Sequence, residues 1–395
     1  MKTSPVFILL SASRKACLLA WPWSLLSQAS PALARHSRLI CIANGGGAIR
    51  CLGMRTRTAF LIVAALVAAF TFSLQAQPLV TIETVTVGDA GNSMDNTGYG
   101  AVTNVFAIGQ YEVSLSQYTT FLNSVAATDT YNLYNASMAT FLNTAGISRS
   151  GSSGSYSYAL VGSGSRPVSY VSWFDAARFA NWMQNGATNG ASTEAGAYTL
   201  DGATSGIITK NAGATWWIPG EDEWYKAAYY KGGGTNAGYW LYPTQSDTAP
   251  GNIIGSATNQ ANYNNGVYSV TQSEEASNTQ NYLTESGAFG DSESFYDTYD
   301  QGGNVFEWND SIQGPYRGLR GGAWTVNFNY VSLGSSFSLD YVPQSEIYYL
   351  GFRLATVPEP STYALLGLAA IGMLAALRRR KLVRSEAPKS TNPAR

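Results

Sequence analysis

Three observations predict an α+β fold that is loop-rich and low in helix. Segments beginning near Ser114, Ser172 and Pro219 carry a helical apolar period behind a recognisable start signal. Two earlier segments, LVTIETVTVGD and NVFAIGQYEVS, alternate or cluster apolar residues as strands do. From 232 to 356 the chain is dominated by Gly, Asn, Ser and Tyr, which suits loops joined by short strands. Charged residues make up 12% and aromatics 13% of the 395 residues. That balance supplies a core but does not suit a helical cytosolic enzyme.

Residues 54–76, MRTRTAFLIVAALVAAFTFSLQA, have the order of a secretory signal peptide: Arg55 and Arg57, an apolar stretch from Ala59 to Phe72, and a cleavage site at Ala76. The stretch is short for a membrane span. Residues 1–53 are then expected to be an over-extended gene reading or a disordered extension. The rival reading takes LLSQASPALA as a signal ending at Ala34, with Arg14 and Lys15 interrupting its apolar region.

The body, 78–356, begins with the two strands. Ser114 is expected to cap a helix over LSQYTTFLNSVA, whose Leu115, Tyr118, Phe121 and Leu122 share one face. ISRSGSSGSYSYALVGSGS reads as a low-complexity surface loop. RPVSY is expected to be a strand, followed by a helix capped at Ser172 and ending at Gly186. GATNGASTEAGAYTLDGATSG reads as another surface loop. WWIPGEDEWYKAAYYKGGG gives a third helix, in which Glu221, Asp222 and Glu223 favour the positive end of the dipole rather than acid–base chemistry.

After the body, Pro358, Glu359 and Pro360 precede an apolar run from Tyr363 to Leu377 and the basic cluster Arg378–Lys381. Proline on both sides of Glu359 keeps the backbone extended and accessible. Residues 357–381 closely resemble the PEP-CTERM sorting signal, and 382–395 read as a basic cytoplasmic tail. The resemblance implies a transient membrane helix, processing by an exosortase, and export to the envelope of a Gram-negative bacterium.

Charge is segregated. Residues 1–77 hold eight bases and no acid, and seven bases lie at Arg378 or beyond with the single acid Glu386. Residues 78–377 keep nine bases and 24 acids, a net of −15. Such a body repels phosphates, which excludes nucleic acid as a natural partner. Cys17, Cys41, Cys51 and His36 all precede residue 54. The body therefore has neither thiol nor imidazole.

The blocks YEVSLSQYTTFLN, RPVSYVSWFDAARFANWM, IPGEDEWYKAAYY, ANYNN, GGNVFEWND, LRGGAW and GFRLA occur in this order. Together they closely resemble the formylglycine-generating enzyme, or sulfatase-modifying factor, family. The resemblance implies a fold related to C-type lectin-like domains. It also implies calcium bound by the carbonyls of Gly302, Gly303 and Val305 and the carboxylate of Glu307. A second family site would begin at Asn262 and Tyr263, although its later acidic ligand has no secure match. The competing reading pairs Glu307 with Arg320 or Arg353.

Family enzymes that make formylglycine use two cysteines and copper in the interval before the final Gly-Phe-Arg. Here that interval is TVNFNYVSLGSSFSLDYVPQSEIYYL, without cysteine. Serine is not ionised at neutral pH and is a poor ligand for Cu(I). The iron-dependent branch of the family needs histidines that the body lacks. Neither copper nor iron is expected, and no catalytic residue is assigned. The expectation is a non-catalytic domain that binds a glycan or surface protein. A divergent oxidase and a purely structural surface component stand as alternatives. Trp216, Trp217, Trp224, Trp240, Trp308 and Trp324 would mostly pack the core, with Trp308 and Trp324 marking a surface where a ligand could stack.

Overall fold

The computed structural model describes residues 9–10, 40–43, 49–52, 77–325 and 329–358. The chain divides into two units, 1–76 and 77–395. In the first, β1 (Leu9–Leu10), β2 (Ile40–Ala43) and β3 (Ile49–Leu52) form an antiparallel sheet in that order. The cleavage site read at Ala76, and Glu359, Pro360 and the apolar run after them, lie outside the described residues. No described helix is long and apolar enough to cross a membrane.

The second unit is built on two four-stranded sheets. β4 (Thr84–Val87) and β5 (Phe106–Gly109) pair antiparallel, as the first two strand segments predict. They are joined by β8 (Trp216–Trp217) and β13 (Ala355–Thr356) in the order β4-β5-β13-β8. The other sheet has the order β11-β10-β9-β12, from β9 (Phe306–Gln313), β10 (Tyr316–Arg320), β11 (Leu339–Tyr341) and β12 (Leu350–Gly351). A short α5 (Tyr330–Leu333) precedes β11. This is the loop-rich α+β architecture the sequence predicts.

The helices start where their caps place them. In α1 (Leu115–Val125) the Ser114 hydroxyl accepts from Gln117 N and the Gln117 side chain accepts from Ser114 N, a reciprocal capping box. Leu115, Tyr118, Phe121 and Leu122 are buried together. In α3 (Trp173–Gln184) Ser172 and Asp175 make the same box. The chain turns out of α3 at Gly186, with φ +89°. In α4 (Glu221–Tyr229) the Glu223 carboxylate reaches back to Gly220 N at 2.7 Å. A four-residue α2 (Ser137–Thr140) completes the set.

Three expectations need correction. RPVSY is not a strand: it makes an isolated bridge from Pro167 to Ser114, and its Tyr170 has φ +60°. The segment read as a low-complexity loop contains the hairpin β6 (Ile147–Ser150) and β7 (Ser157–Leu160). Most of its side chains are half-buried or exposed and only Ile147 and Tyr158 are buried, so backbone pairing rather than an apolar face forms it. The segment from Gly186 to Gly206 is a loop but is not confined to the surface. Asn181 of α3 holds it through bonds to Thr193 O, Tyr198 O and Tyr198 N, which buries Tyr198 against Trp173.

The main core is aromatic and surrounds α3, whose residues 173–183 are all buried. Phe121, Phe179, Trp182 and Phe352 pack with ring centroids 5.2–5.7 Å apart at steep angles. Burial also pushes the Asp175 carboxyl up to about 7, with the Glu346 charge adding to the shift. Asp310 moves the same way. A carboxyl raised in the folded state stabilises the fold fully below its unfolded pKa, and that contribution is lost as pH rises through the folded value. Unfolding free energy should therefore fall between pH 4 and pH 7 and level off above. Asp175→Asn should flatten the slope by about 1.4 kcal/mol per pH unit, read by urea melts across that range.

Candidate functional site

The two sequence blocks singled out for ligands do meet in space. Asn262 forms a parallel bridge with Gly303, and Asn304 N donates to Asn262 O at 2.8 Å. The Asn262 side chain donates to Tyr282 O and to Asn304 Oδ1. Thr284 N closes the network on Asn304 Oδ1. Gly303 has φ +89°, and a Cβ there would lie 2.3 Å from Asn262 O. Only glycine permits that approach. Tyr263 is wholly buried, with its hydroxyl donating to Pro250 O.

Glu307 is completely buried in β9. Its Oε2 accepts from Arg353 Nε at 2.6 Å and from Trp224 Nε1 at 2.7 Å, and its Oε1 accepts from Arg353 Nη2 at 2.6 Å. Arg353 spends its remaining donors on the carbonyls of Gly109, Gln110 and Tyr299. All five guanidinium N–H groups are thus satisfied with no exposure to water. The charge of Glu307 holds the Arg353 pKa up, although burial alone would lower it.

This arrangement does not fit calcium at Glu307. Both carboxylate oxygens already face cationic or N–H donors, and a divalent ion beside Arg353 would meet like charge in a low-dielectric interior. Among the described residues no group of three or more His, Cys, Asp or Glu has metal-binding spacing. Glu307 therefore takes the competing role of ion-pair partner, and Arg353 is the partner.

Arg320 stands opposite Glu307 in the strand register but turns to Glu221 instead. It also donates to Ser335 O and Phe337 O. Glu221 additionally accepts from Asn309. Arg317 pairs with Asp310 at 2.8 Å and lies over the Trp173 ring at 3.7 Å. Residues 306–320 therefore form an antiparallel hairpin whose charges tie α4 and the neighbouring loops to the sheet.

Glu112 is a further buried acid that sequence reasoning passed over. Neither of its carboxylate oxygens has a hydrogen-bond partner among the described residues. Burial raises its pKa well above the usual range, and the nearby Asp300 charge adds to this, opposed by Arg353. Burial also brings Asp300 up to about 6. An acid between Tyr111 and Val113, in a segment leading from a buried strand to a helix cap, was the available signal.

The tryptophans belong mainly to the interior. Trp224 and Trp308 are fully buried, and Trp217 and Trp324 nearly so, while Trp216 and Trp240 are half-buried. Trp308 Nε1 donates to Val171 O, and Trp324 stacks on Tyr282 with centroids 5.1 Å apart. The stacking surface expected at Trp308 and Trp324 is not present.

An open cleft of about 830 Å³ lies elsewhere, between residues 101–106, the loop 210–214 and the first turn of α4, with Val357 on its lining. Its acids are engaged: Asp222 accepts from Gly100 N, and Glu223 accepts from Gly220 N and Trp217 Nε1. Lys210 Nζ sits 4.4 Å from the Trp217 ring centroid. The three acids of α4 do not present a free acid–base pair.

A sulfatase-modifying factor enzyme 1-like domain matches residues 78–357. The chain belongs to that family. A PEP-CTERM protein-sorting motif matches residues 356–381, so the family domain is carried by a protein sorted for export through exosortase processing. No curated protein matches the chain. Among solved structures, the chain is similar to Treponema denticola variable protein 1 at 19% identity and TM-score 0.41, covering 71% of this chain and 96% of that one. It is similar to CarF at 20% identity and TM-score 0.40, covering 71% and 99%. PvdO from Pseudomonas aeruginosa is similar at 15% identity and TM-score 0.36, covering 71% and 93%.

Leaving Arg353 buried without its partner should cost about 3–5 kcal/mol of stability. Glu307→Gln should produce a loss of that order in denaturant melts. A chelator-induced drop in the wild-type melting temperature that Glu307→Gln abolishes would contradict the ion-pair assignment.

Proposed function

We propose that this exported family member is a non-catalytic binding module that holds a glycan or a protein at the surface or matrix of a Gram-negative cell. The observation that carries the reading is chemical. The family framework from Tyr111 to Arg353 is retained, while residues 78–377 contain no cysteine and no histidine. In the interval before Gly351-Phe352-Arg353, the buried Ser332 hydroxyl donates to Asn329 O and has no imidazole to activate it. A neutral alcohol in this setting supplies neither a copper thiolate nor an activated nucleophile.

A rigid domain rich in ordered loops suits presentation of a binding surface, because function concentrates on loops held by a stable scaffold. Two experiments separate the readings. The purified body, loaded with Cu(I) and given a Cys-containing peptide and oxygen, should form no aldehyde; turnover would establish the divergent oxidase instead. An array of envelope glycans and surface proteins should return a saturable ligand. A complete lack of binding would favour a purely structural surface component.

A further inference from the structure

The sorting triplet emerges directly from an interior strand. β13 lies between β5 and β8, with Ala355 opposite Ile108 and Trp217 and Thr356 opposite Ala107 and Trp216. Both residues are buried. Thr356 Oγ1 donates to Thr215 O at 2.7 Å, and Val357 N donates to Thr215 O at 3.2 Å. Two residues before β13, Arg353 is fixed by its five hydrogen bonds. The chain thus stays locked into the domain up to Val357, and Pro358 follows at once.

An enzyme acting on a peptide takes it in extended form, with residues on both sides of the reacting bond in its groove. Here the upstream side is unavailable. Freeing it would break both ladders of β13 and expose the Arg353–Glu307 pair. The far end of the triplet, Pro360, is at most about 11 Å along the chain from Val357. Val357 precedes proline and is biased to extended backbone. Any enzyme that grips the triplet must therefore rest against the domain beside Val357.

The surface beside Val357 is the open cleft. Its rim carries the exposed Val105 and Ala212, the exposed Asp222, and Lys210. We propose that this cleft is a docking surface for the sorting exosortase, so that recognition reads the folded domain together with Pro358, Glu359 and Pro360. The proposal rests on the exosortase reading of the motif. The short reach from Val357 and the immobility of β13 bring an enzyme that holds the triplet against this cleft, and the chain's own continuation and a second copy are outcomes of the test.

The test follows conversion of full-length precursor to mature protein in cells that contain the exosortase. Val105→Trp combined with Ala212→Trp places bulk on the exposed rim, and unchanged melting of the purified body verifies folding. Processing should slow at least fivefold. The same double substitution should have no effect once an eight-residue Gly-Ser spacer separates Val357 from Pro358. Normal processing of the double variant at native spacing would overturn the proposal. So would equal slowing with and without the spacer, which would point to the chain's own continuation or a second copy in the cleft. Glu359→Ala is the control: if it is processed normally, the exosortase reading itself has failed. The mass of the mature protein gives an independent check, since its C-terminus should lie at or beyond Val357. A terminus upstream of Ala355 would show that β13 can be released and would also overturn the proposal.

Discussion

The fold depends on one buried ion pair. Taking a carboxylate and a guanidinium wholly out of water costs several kcal/mol per ion, and that cost is offset only where geometry is good and every remaining donor is used. Glu307 and Arg353 meet both conditions. Through Trp224 the pair reaches α4, through Gly109 and Gln110 it reaches the end of β5, and through Tyr299 the loop before β9. Gly351, two residues before Arg353, is the register partner of Glu307 in β12. The pair thus joins the two sheets and a helix.

The glycines of the same region serve close approach. Gly303 admits the Asn262 carbonyl, and Gly322, with φ +77°, leaves room for Ser332. Arg317 and Arg320 secure the hairpin further through Asp310 and Glu221. Gly303, Gly322, Arg317 and Arg320 hold the architecture together in this chain.

What the sequence revealed follows the range of the forces involved. Ser114 and Ser172 were legible as caps because a capping box is completed within three residues. The buried face of α1 was legible from its period. The β6–β7 hairpin was not, since Ser and Gly at exposed positions give no alternation to read. β9 was hidden for a different reason: Phe306, Glu307, Trp308 and Asn309 are all buried, so polar and apolar residues share an interior strand. The choice between Arg320 and Arg353 for Glu307 was likewise beyond local pattern. Arg320 is the register neighbour, yet Glu221 in α4 takes it, a contact across 99 residues of chain. The meeting of Asn262 with Gly303 was anticipated only as two separate blocks.

Glu307 belongs to Arg353 and not to a metal. A double-mutant cycle on unfolding free energy, using Glu307→Gln, Arg353→Met and the two combined, tests it most directly. The double variant should lose much less stability than the two single losses added, with a coupling above about 2 kcal/mol, because each single change strands a buried charge and the double change leaves none. Additive losses would contradict it and would return Glu307 to a role outside the pair.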